Sequence, residues 1–511
     1  MLLLDVDRGS RVPLQRQIVE RIREKIEARA LAAGERLPST RRLASALGVH
    51  RSTVALAYQQ LWSLGFIDLR PGSRPRVRQR TAVVAPSHRT GKGAIAWKTI
   101  AAPGSEEVVR LARSYPRSAR SAGDPTVIDF STIDMDRRLF PLDRFRSCLN
   151  RTLARNGREL LGYGDPAGYR PLREYVAQRL GRHGVSVTAE EILLTNGSQQ
   201  AIDLLFRLVA APGKAVAFES PTYNLMLPLL RLYGLKPIEI PLRLDGMDLD
   251  ALEREVGRQR PTLIYTMPTL QNPTGVCTTQ AHRERLLALC EAERIPLVED
   301  GFEEEMQYSG RIVLPLKSMD RQRLVVYCGT FSKVLFPGVR IGWVAAAREC
   351  IERLEAIRRF EEVAPGMILQ AALHEFCRDG SYDRHVSKMH RVFRKRMQTA
   401  IRVLRERLEP EWARWAEPSG GYLLWLELSP ALARTRALPD LLSAHGVRAA
   451  PGRHFFCSPR SKRYLRLSIS TLSEEEIVEG VTRLCGALRE AFSRRAAQTR
   501  RQTGPGGKER T

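Results

Sequence analysis

The stretch GTFSKVLFPGVRIGW, residues 329–343, decides how most of this chain is read. It follows LVVYC, residues 324–328, an apolar run with the composition of a buried strand. It then presents the small hydroxyl residue Thr330, Ser332, Lys333, a turn at Pro337 and Gly338, and Arg340. A primary amine at a strand end, set among hydroxyls and a guanidinium, suits a phosphorylated aldehyde. Pyridoxal phosphate needs an amine for its Schiff base and a cationic, hydroxyl-lined cradle for its phosphate. An isolated Ser-Lys pair is more often a loop with a surface lysine, so the weight of this reading comes from distant stretches that ask for the same group.

Working outward, apolar runs at 191–195, 215–219, 263–267, 296–299, 324–328 and 341–345 alternate with helical patterns. That alternation predicts a largely parallel sheet covered by helices, with functional loops at the strand ends. In TNGSQQ, residues 195–200, the free amides of a helix start and the Ser198 hydroxyl make an anion site, flanked by Gly197 and Gln199. In ESPTY, residues 219–223, Tyr223 can lie flat on an aromatic cofactor; in isolation it is a core tyrosine. Asn272, in the sharp turn QNPTG at 271–275, can bond a phenolate-like oxygen. Asp300 ends the strand of LVEDG at 297–301, where a carboxylate keeps a pyridine nitrogen protonated.

The amino-terminal part carries a different chemistry. The chain has 511 residues, too many for one ordinary core. Its 82 lysines and arginines against 56 acids give a net charge of +26, which favours polyanionic partners, nucleic acid first. Leu14, Ile18, Ile22 and Ile26 recur every four residues, predicting an amphipathic helix over 13–31. A second helix fits 39–47, capped by Ser39 or Thr40 and stopped by Gly48; a third opens at His50 or Ser52 and buries Val54, Ala57, Tyr58 and Leu61. Two helices joined by a tight turn form a helix-turn-helix, and 66–77 alternates around a Pro-Gly turn as a two-stranded wing would. Arg41 and Arg42 open the second helix, and His50, Arg51, Ser52 and Thr53 crowd the start of the third, where side chains reach base edges in the major groove. Arg70, Arg74 and Arg76 of the wing can grip phosphate or enter a minor groove.

Eight cysteines show no C-x-x-C spacing and read as thiols of a reduced compartment. The start MLLLDVDRGS is not a signal peptide, and no stretch approaches a membrane span, so a cytoplasmic protein is expected. Periodicity fails from about 79 to 126, which reads as a linker with short helices possible at 94–100 and 105–113. The domains are therefore expected at 1–80 and 126–493, joined by a linker at 81–125 and followed by a basic disordered tail at 494–511.

Residues 37–54, LPSTRRLASALGVHRSTV, closely resemble the winged helix of the GntR regulators. The resemblance implies that Arg41, Arg51 and Thr53 contact DNA, and it departs at Arg74, where relatives often carry a second wing glycine. The loops near 163, 197, 223, 272, 300, 333 and 466 together resemble the fold-type I aminotransferases. That likeness implies Lys333 as the Schiff-base lysine, Asp300 on the pyridine nitrogen, Asn272 on the ring oxygen and Tyr223 stacked on the ring. It implies Ser198, Thr330 and Arg340 as phosphate ligands, with Gly197, Gln199 and Ser332 beside them, and Tyr163 reaching the phosphate of a neighbouring subunit. Arg466 matches an arginine that clamps an α-carboxylate, a bidentate task that suits a guanidinium.

A winged helix, a tether and an α/β aminotransferase-like domain with a smaller carboxyl-terminal α/β subdomain, in that order, resemble the MocR subfamily. This implies a pyridoxal-phosphate-dependent transcriptional regulator, a head-to-tail homodimer on operator DNA that senses an amino compound or the cofactor itself. A working aminotransferase carrying a DNA-binding domain is the other reading. Two departures weaken turnover more than cofactor binding: Phe302 stands where relatives place a tyrosine, and Ile133 where they place a glycine.

Overall fold

The computed structural model describes residues 4–10, 12–70, 72–78, 95, 97–101, 104–114, 126–310, 313–435, 437–457 and 463–503. The chain divides into two compact units, 1–96 and 97–511.

In the first unit α1 (Leu14–Glu27) buries Ile18, Val19 and Ile22 against α3 (Arg51–Ser63), which contributes Val54, Ala57, Tyr58 and Leu61. Between them lies α2 (Thr40–Leu47). Ser39 caps it by accepting from the Arg42 amide at 3.3 Å, and Gly48 closes it at φ +61°. Such a cap contributes about 1 kcal/mol. His50, the first cap residue of α3, accepts the Ser52 amide on Nδ1 at 3.3 Å, and its ring also meets the Ser52 hydroxyl at 2.7 Å. The wing is β1 (Ile67–Asp68) paired antiparallel with β2 (Arg76–Val77), Ile67 opposite Val77. Helix α1 is shorter than the 13–31 expected, because Leu31 turns back into the core beyond the helix end.

The second unit begins earlier than the expected boundary at 126. Helices α4 (Trp97–Ile100) and α5 (Ser105–Ser114) fall within the expected linker, and α5 lies against the helix Leu227–Leu232 with an ion pair between Glu107 and Arg231. Part of that segment is thus docked helix rather than tether. The apolar side of a ten-residue amphipathic helix finds cover only on a larger body. Residues 79–94 and 115–125 lie outside the described ones.

After β3 (Ile128–Asp129) come β4 (Ile192–Thr195), β5 (Ala215–Ser220), β6 (Lys236–Arg243), β7 (Gly246–Met247), β8 (Leu263–Thr266), β9 (Leu297–Asp300), β10 (Val325–Thr330) and β11 (Gly342–Ala345). The eight strands from β4 to β11 form one sheet in the order β4-β11-β10-β9-β8-β5-β6-β7. Strands β6, β5, β8, β9 and β10 run parallel, while β11 is antiparallel to both β10 and β4. Strands β4, β8, β9, β10 and β11 are buried along their whole length, because helices cover both faces; that is why they read as unbroken apolar runs. The six expected strands are present within a residue or two, and β6 is an addition. Its exposed and buried residues alternate along much of its length, and it carries two prolines, so it was not legible as an apolar run.

A second sheet contains β12 (Ala413–Trp415), β13 (Leu423–Leu428), β15 (Ala450–Pro451) and β16 (Tyr464–Ser468), in the order β12-β13-β16-β15. Just before β15, β14 (Val447–Arg448) pairs in parallel with β3, which carries the segment after Asp129 alongside this subdomain. Buried Asp136 ties that segment to the helix Ser381–Arg407 through Arg396 at 2.5 Å. The last helix, Glu474–Thr503, continues past Arg494, so a disordered tail from that point is corrected: helical hydrogen bonding runs on through the basic stretch. Residues 504–511 lie outside the described ones.

Candidate functional site

Topology gathers the site. Since β4, β5, β8, β9 and β10 share one direction, the loops after Thr195, Ser220, Thr266, Asp300 and Thr330 emerge at the same edge of the sheet. There a cavity of about 200 Å³ is lined by Ser198, Tyr223, Asn272, Asp300, Lys333 and Arg466. Six residues named from separate stretches of sequence thus meet in one place. Ile133 and Phe302 also line it, so the two departures from the resemblance both lie against the cavity.

Asp300 is buried at the end of β9. Its Oδ2 accepts from the Tyr265 hydroxyl at 2.6 Å, while Oδ1 has no hydrogen-bond partner. Burial pushes its carboxyl up to about 6, and the Tyr265 hydroxyl and the Phe302 amide hold it down. Lys333 Nζ donates to the Ile133 carbonyl at 3.5 Å. Burial lowers its ammonium below the usual lysine value, opposed by the charges of Glu303 and Asp134 and assisted by those of Arg466 and Arg340. Arg466, buried on β16, donates from Nη2 to the Ser131 carbonyl at 2.6 Å and from Nη1 to Asn272 Oδ1 at 3.4 Å, and lies 4.9 Å above the Phe455 ring. Its Nε has no partner, and burial lowers the guanidinium to about 10, still charged at neutral pH. Below these groups Glu219 accepts from Thr266 and from the Met267 amide, and burial raises it to about 7.

The loop expected to cradle a phosphate turns at Gly197. It precedes the helix Ser198–Val209 at φ +78°, and a Cβ there would meet Arg340 Nη2 at 2.8 Å, so a side chain would be both strained and in the arginine's place. Arg340 Nη2 donates to the Asn196 carbonyl at 2.6 Å, which holds it over the loop. Gln199 accepts from the Tyr223 hydroxyl at 3.0 Å and thereby braces that ring. Ser332 is buried and its Oγ has no partner.

Of the expected residues, Gly197, Gln199, Ser332 and Arg340 lie outside the cavity lining, and so do Thr330 and Tyr163. The Thr330 hydroxyl donates to the Ile341 carbonyl at 3.3 Å and accepts the Ser332 amide at 3.1 Å; it shapes the turn before Lys333 and does not line the cavity. Tyr163 is 88% exposed and does not line it either.

Sequence reading missed Tyr265, Ser131 and Glu303. Tyr265 reaches Asp300 because it pairs with Val298, two residues before Asp300 and on the same strand face, a register that no local pattern announces. Among the described residues, the buried polar atoms without a partner include Asp300 Oδ1, Ser332 Oγ, Glu303 Oε1 and Arg466 Nε. An acceptor beside a ring nitrogen, a hydroxyl beside the lysine and a donor aimed at a carboxylate are what pyridoxal phosphate and an amino acid would satisfy, so the donor set fits.

Residues 125–484 match the model of the class I and II aminotransferases, and residues 14–77 match that of the bacterial regulatory proteins of the gntR family. The chain is 29% identical over 495 residues to the probable rhizopine catabolism regulatory protein MocR of Rhizobium meliloti, covering 96% of each. The chain belongs to the MocR-type regulators. It is also 31% identical over 487 residues to the HTH-type transcriptional regulator YdcR of Escherichia coli, covering 93% of this chain and 98% of that one. Among solved structures, the α-aminoadipate aminotransferase LysN of Thermus thermophilus, complexed with N-(5'-phosphopyridoxyl)-L-leucine, superposes with a TM-score of 0.72 at 30% identity. It covers 78% of this chain and 100% of that one.

As a MocR-type regulator the protein is a pyridoxal-phosphate-dependent transcription factor that binds DNA through its winged helix. When bound, the cofactor supplies a carbonyl carbon for amines and a protonated ring that withdraws electrons. The residues that would hold it are those lining the cavity: Lys333 would present its amine, Asp300 and Asn272 would supply polar partners for the ring, Tyr223 an aromatic face, and Arg466 a guanidinium beside them. In the winged helix, Arg41, Arg51 and Arg74 are exposed and Thr53 is half-buried. Thr40 opens α2 half-buried, whereas Ser39, His50 and Ser52 engage in the helix caps.

Proposed function

We propose that this regulator senses an α-amino acid or a close amino compound, whose amine takes the place of Lys333 and whose carboxylate is held by Arg466. The observation that carries this reading is that Lys333 and Arg466 line one small cavity, with Arg466 braced by Ser131 and Asn272 and its Nε unpaired. A guanidinium fixed in that way is prepared for a carboxylate before any ligand arrives. Ile133 and Phe302 narrow the cavity and withhold a hydroxyl from the ring oxygen, which favours capture of an amine over rapid turnover. DNA affinity then changes to the extent that the ligand prefers one domain arrangement over another. We place this activity in a cytoplasmic, head-to-tail homodimer in which Tyr163 serves the neighbouring subunit's phosphate site.

The test is a titration of the cofactor-loaded protein with a panel of amino acids and amines, followed by visible absorption and by operator binding. A responsive amino acid should change both signals, and Arg466→Ala should keep the cofactor absorption while losing the response to carboxylate-bearing ligands. Absence of any response across the panel, with a response to pyridoxal phosphate alone, would make the cofactor the effector. Steady keto-acid formation at ordinary enzyme rates would replace the sensor with an aminotransferase.

A further inference from the structure

Beside the cavity at Lys333 lies a second, larger one. It measures about 650 Å³ and is bounded by β13, β14, β15, the short helices Pro430–Ala433 and Leu438–Ala444, and the 3-10 turn Gly452–Phe455. The cavity at Lys333, about 200 Å³, is below the roughly 300–1,000 Å³ of ordinary ligand pockets, whereas the larger chamber falls inside that range. Three residues, Ser131, Asn224 and Arg466, line both, so Arg466 stands where the two meet.

The chamber has an apolar interior. Leu428, Leu432, Leu438, Leu442, Val447 and Phe455 line it and are themselves buried. Leu438 and Leu442 are four residues apart and therefore share one face of their helix. Of the arginines in the lining, Arg448 and Arg453 are exposed and screened by solvent, while Arg466 is buried. Among the described lining residues none is acidic, and His454, lowered by burial to about 4, adds no charge at neutral pH. Protein interiors leave few voids larger than a water molecule, and an apolar chamber of this size suits an apolar guest. An ionised side chain set among these leucines would lose its water without gaining a partner.

Arg466 is held for a carboxylate at the junction. Its guanidinium carbon lies 4.9 Å from the centroid of the Phe455 ring, its two terminal nitrogens are bonded to Ser131 and Asn272, and its buried Nε has no partner. In an α-amino acid the amine, the carboxylate and the side chain diverge from one carbon. With the carboxylate on Arg466, the amine is left to the Lys333 side and the side chain to the chamber side.

We propose that the chamber is a side-chain subsite, and that the compound sensed is an α-amino acid with a bulky apolar side chain, aromatic or branched, rather than a small or acidic one. This rests on the reading of Lys333 and Arg466 given above and adds the class of side chain to it.

Two titrations of the full chain test this. The cofactor-loaded protein is titrated with alanine, leucine, phenylalanine and glutamate and read by visible absorption. The unloaded protein is titrated calorimetrically with 3-phenylpropionate, which has the ring and the carboxylate but no amine. Leucine and phenylalanine should bind at least about tenfold more tightly than alanine, through the added apolar area they bury, and glutamate no more tightly than alanine. Ala433→Phe, which fills the chamber from the helix Pro430–Ala433, should keep the cofactor absorption, lose the preference for phenylalanine over alanine, and no longer bind 3-phenylpropionate. Leu442→Ala, which enlarges the chamber, should shift the preference toward tryptophan, and it decides the matter if Ala433→Phe does not fold. Equal affinity for alanine and phenylalanine, or tighter binding of glutamate, would overturn the proposal and leave amino-acid sensing at Lys333 standing. No response to any amino acid, with 3-phenylpropionate bound by the wild type and not by Ala433→Phe, would keep the chamber as a site for apolar carboxylates and overturn the part given to the amine.

Discussion

Tyr265→Phe deletes one oxygen and leaves strand β8 intact, which makes it a clean perturbation of the ring-nitrogen site. The Tyr265 hydroxyl is buried and donates to Asp300 Oδ2 at 2.6 Å, and it is the foremost group holding down a carboxyl that burial pushes up to about 6. A hydrogen bond to a charged acceptor contributes about 1.5–3 kcal/mol, and about 1.4 kcal/mol corresponds to one pKa unit. Removing it should therefore raise Asp300 by about one to two units, to roughly 7–8. Pyridoxal phosphate favours the ionised carboxyl, because only that form balances a protonated ring. The ionised fraction at pH 7 then falls about two- to tenfold, and apparent cofactor affinity falls with it. The deficit should grow to about five- to fiftyfold at pH 6 and close near pH 9, where Asp300 is ionised in both proteins. Equilibrium titration of the unloaded protein with pyridoxal phosphate across this range measures it. A deficit of the same size at every pH would refute the reasoning, since it would report lost packing rather than ionisation; no deficit at all would refute the role of the bond.

In the winged helix, Arg51→Ala should weaken operator binding by roughly 1–3 kcal/mol and relax sequence preference, and Ser39→Ala should instead cost about 1 kcal/mol of stability through loss of the α2 cap. Fluorescence anisotropy with matched and mismatched duplexes separates the two, and a flat dependence on salt would contradict phosphate contact altogether. Buried Asp300, Glu219, Glu299 and Glu303, pushed up to about 6, 7, 7 and 8, all hold protons more tightly folded than unfolded. Their contribution to stability is complete below about pH 4 and is lost as pH rises through about 6 to 8. Lys333 and the histidines His374, His385 and His454, whose charged forms burial disfavours, act in the opposite sense, over a narrower part of that window for the histidines. The Tm of the unloaded protein should accordingly fall between pH 5 and 8, and a Tm that rises over that window would count against these burial shifts.

Several residues of the cavity were legible because they sit in loops after buried strands, where local sequence reports both the apolar run and the polar residue that ends it. Asp300, Lys333 and Asn272 are each found in that way. At Thr330 the structure adds contacts that spacing does not announce: its hydroxyl donates to the Ile341 carbonyl and accepts the Ser332 amide in the turn that presents Lys333. The stretch at 105–113 read as linker because a short amphipathic helix shows no partner in sequence, although α5 has one in the helix Leu227–Leu232.

By itself, then, the sequence determined the two-part organisation, the strand-ending loops and the residue types fit for an aldehyde cofactor and for DNA, since periodicity and turn chemistry are local properties of a chain. Only the tertiary structure decided that Tyr265 holds Asp300, that Ser131 and Asn272 hold Arg466, and that the buried Glu303 packs against Gly421. Those contacts follow from strand register and from the meeting of two sheets, and the burial that shifts each charge exists only once distant segments have excluded water together.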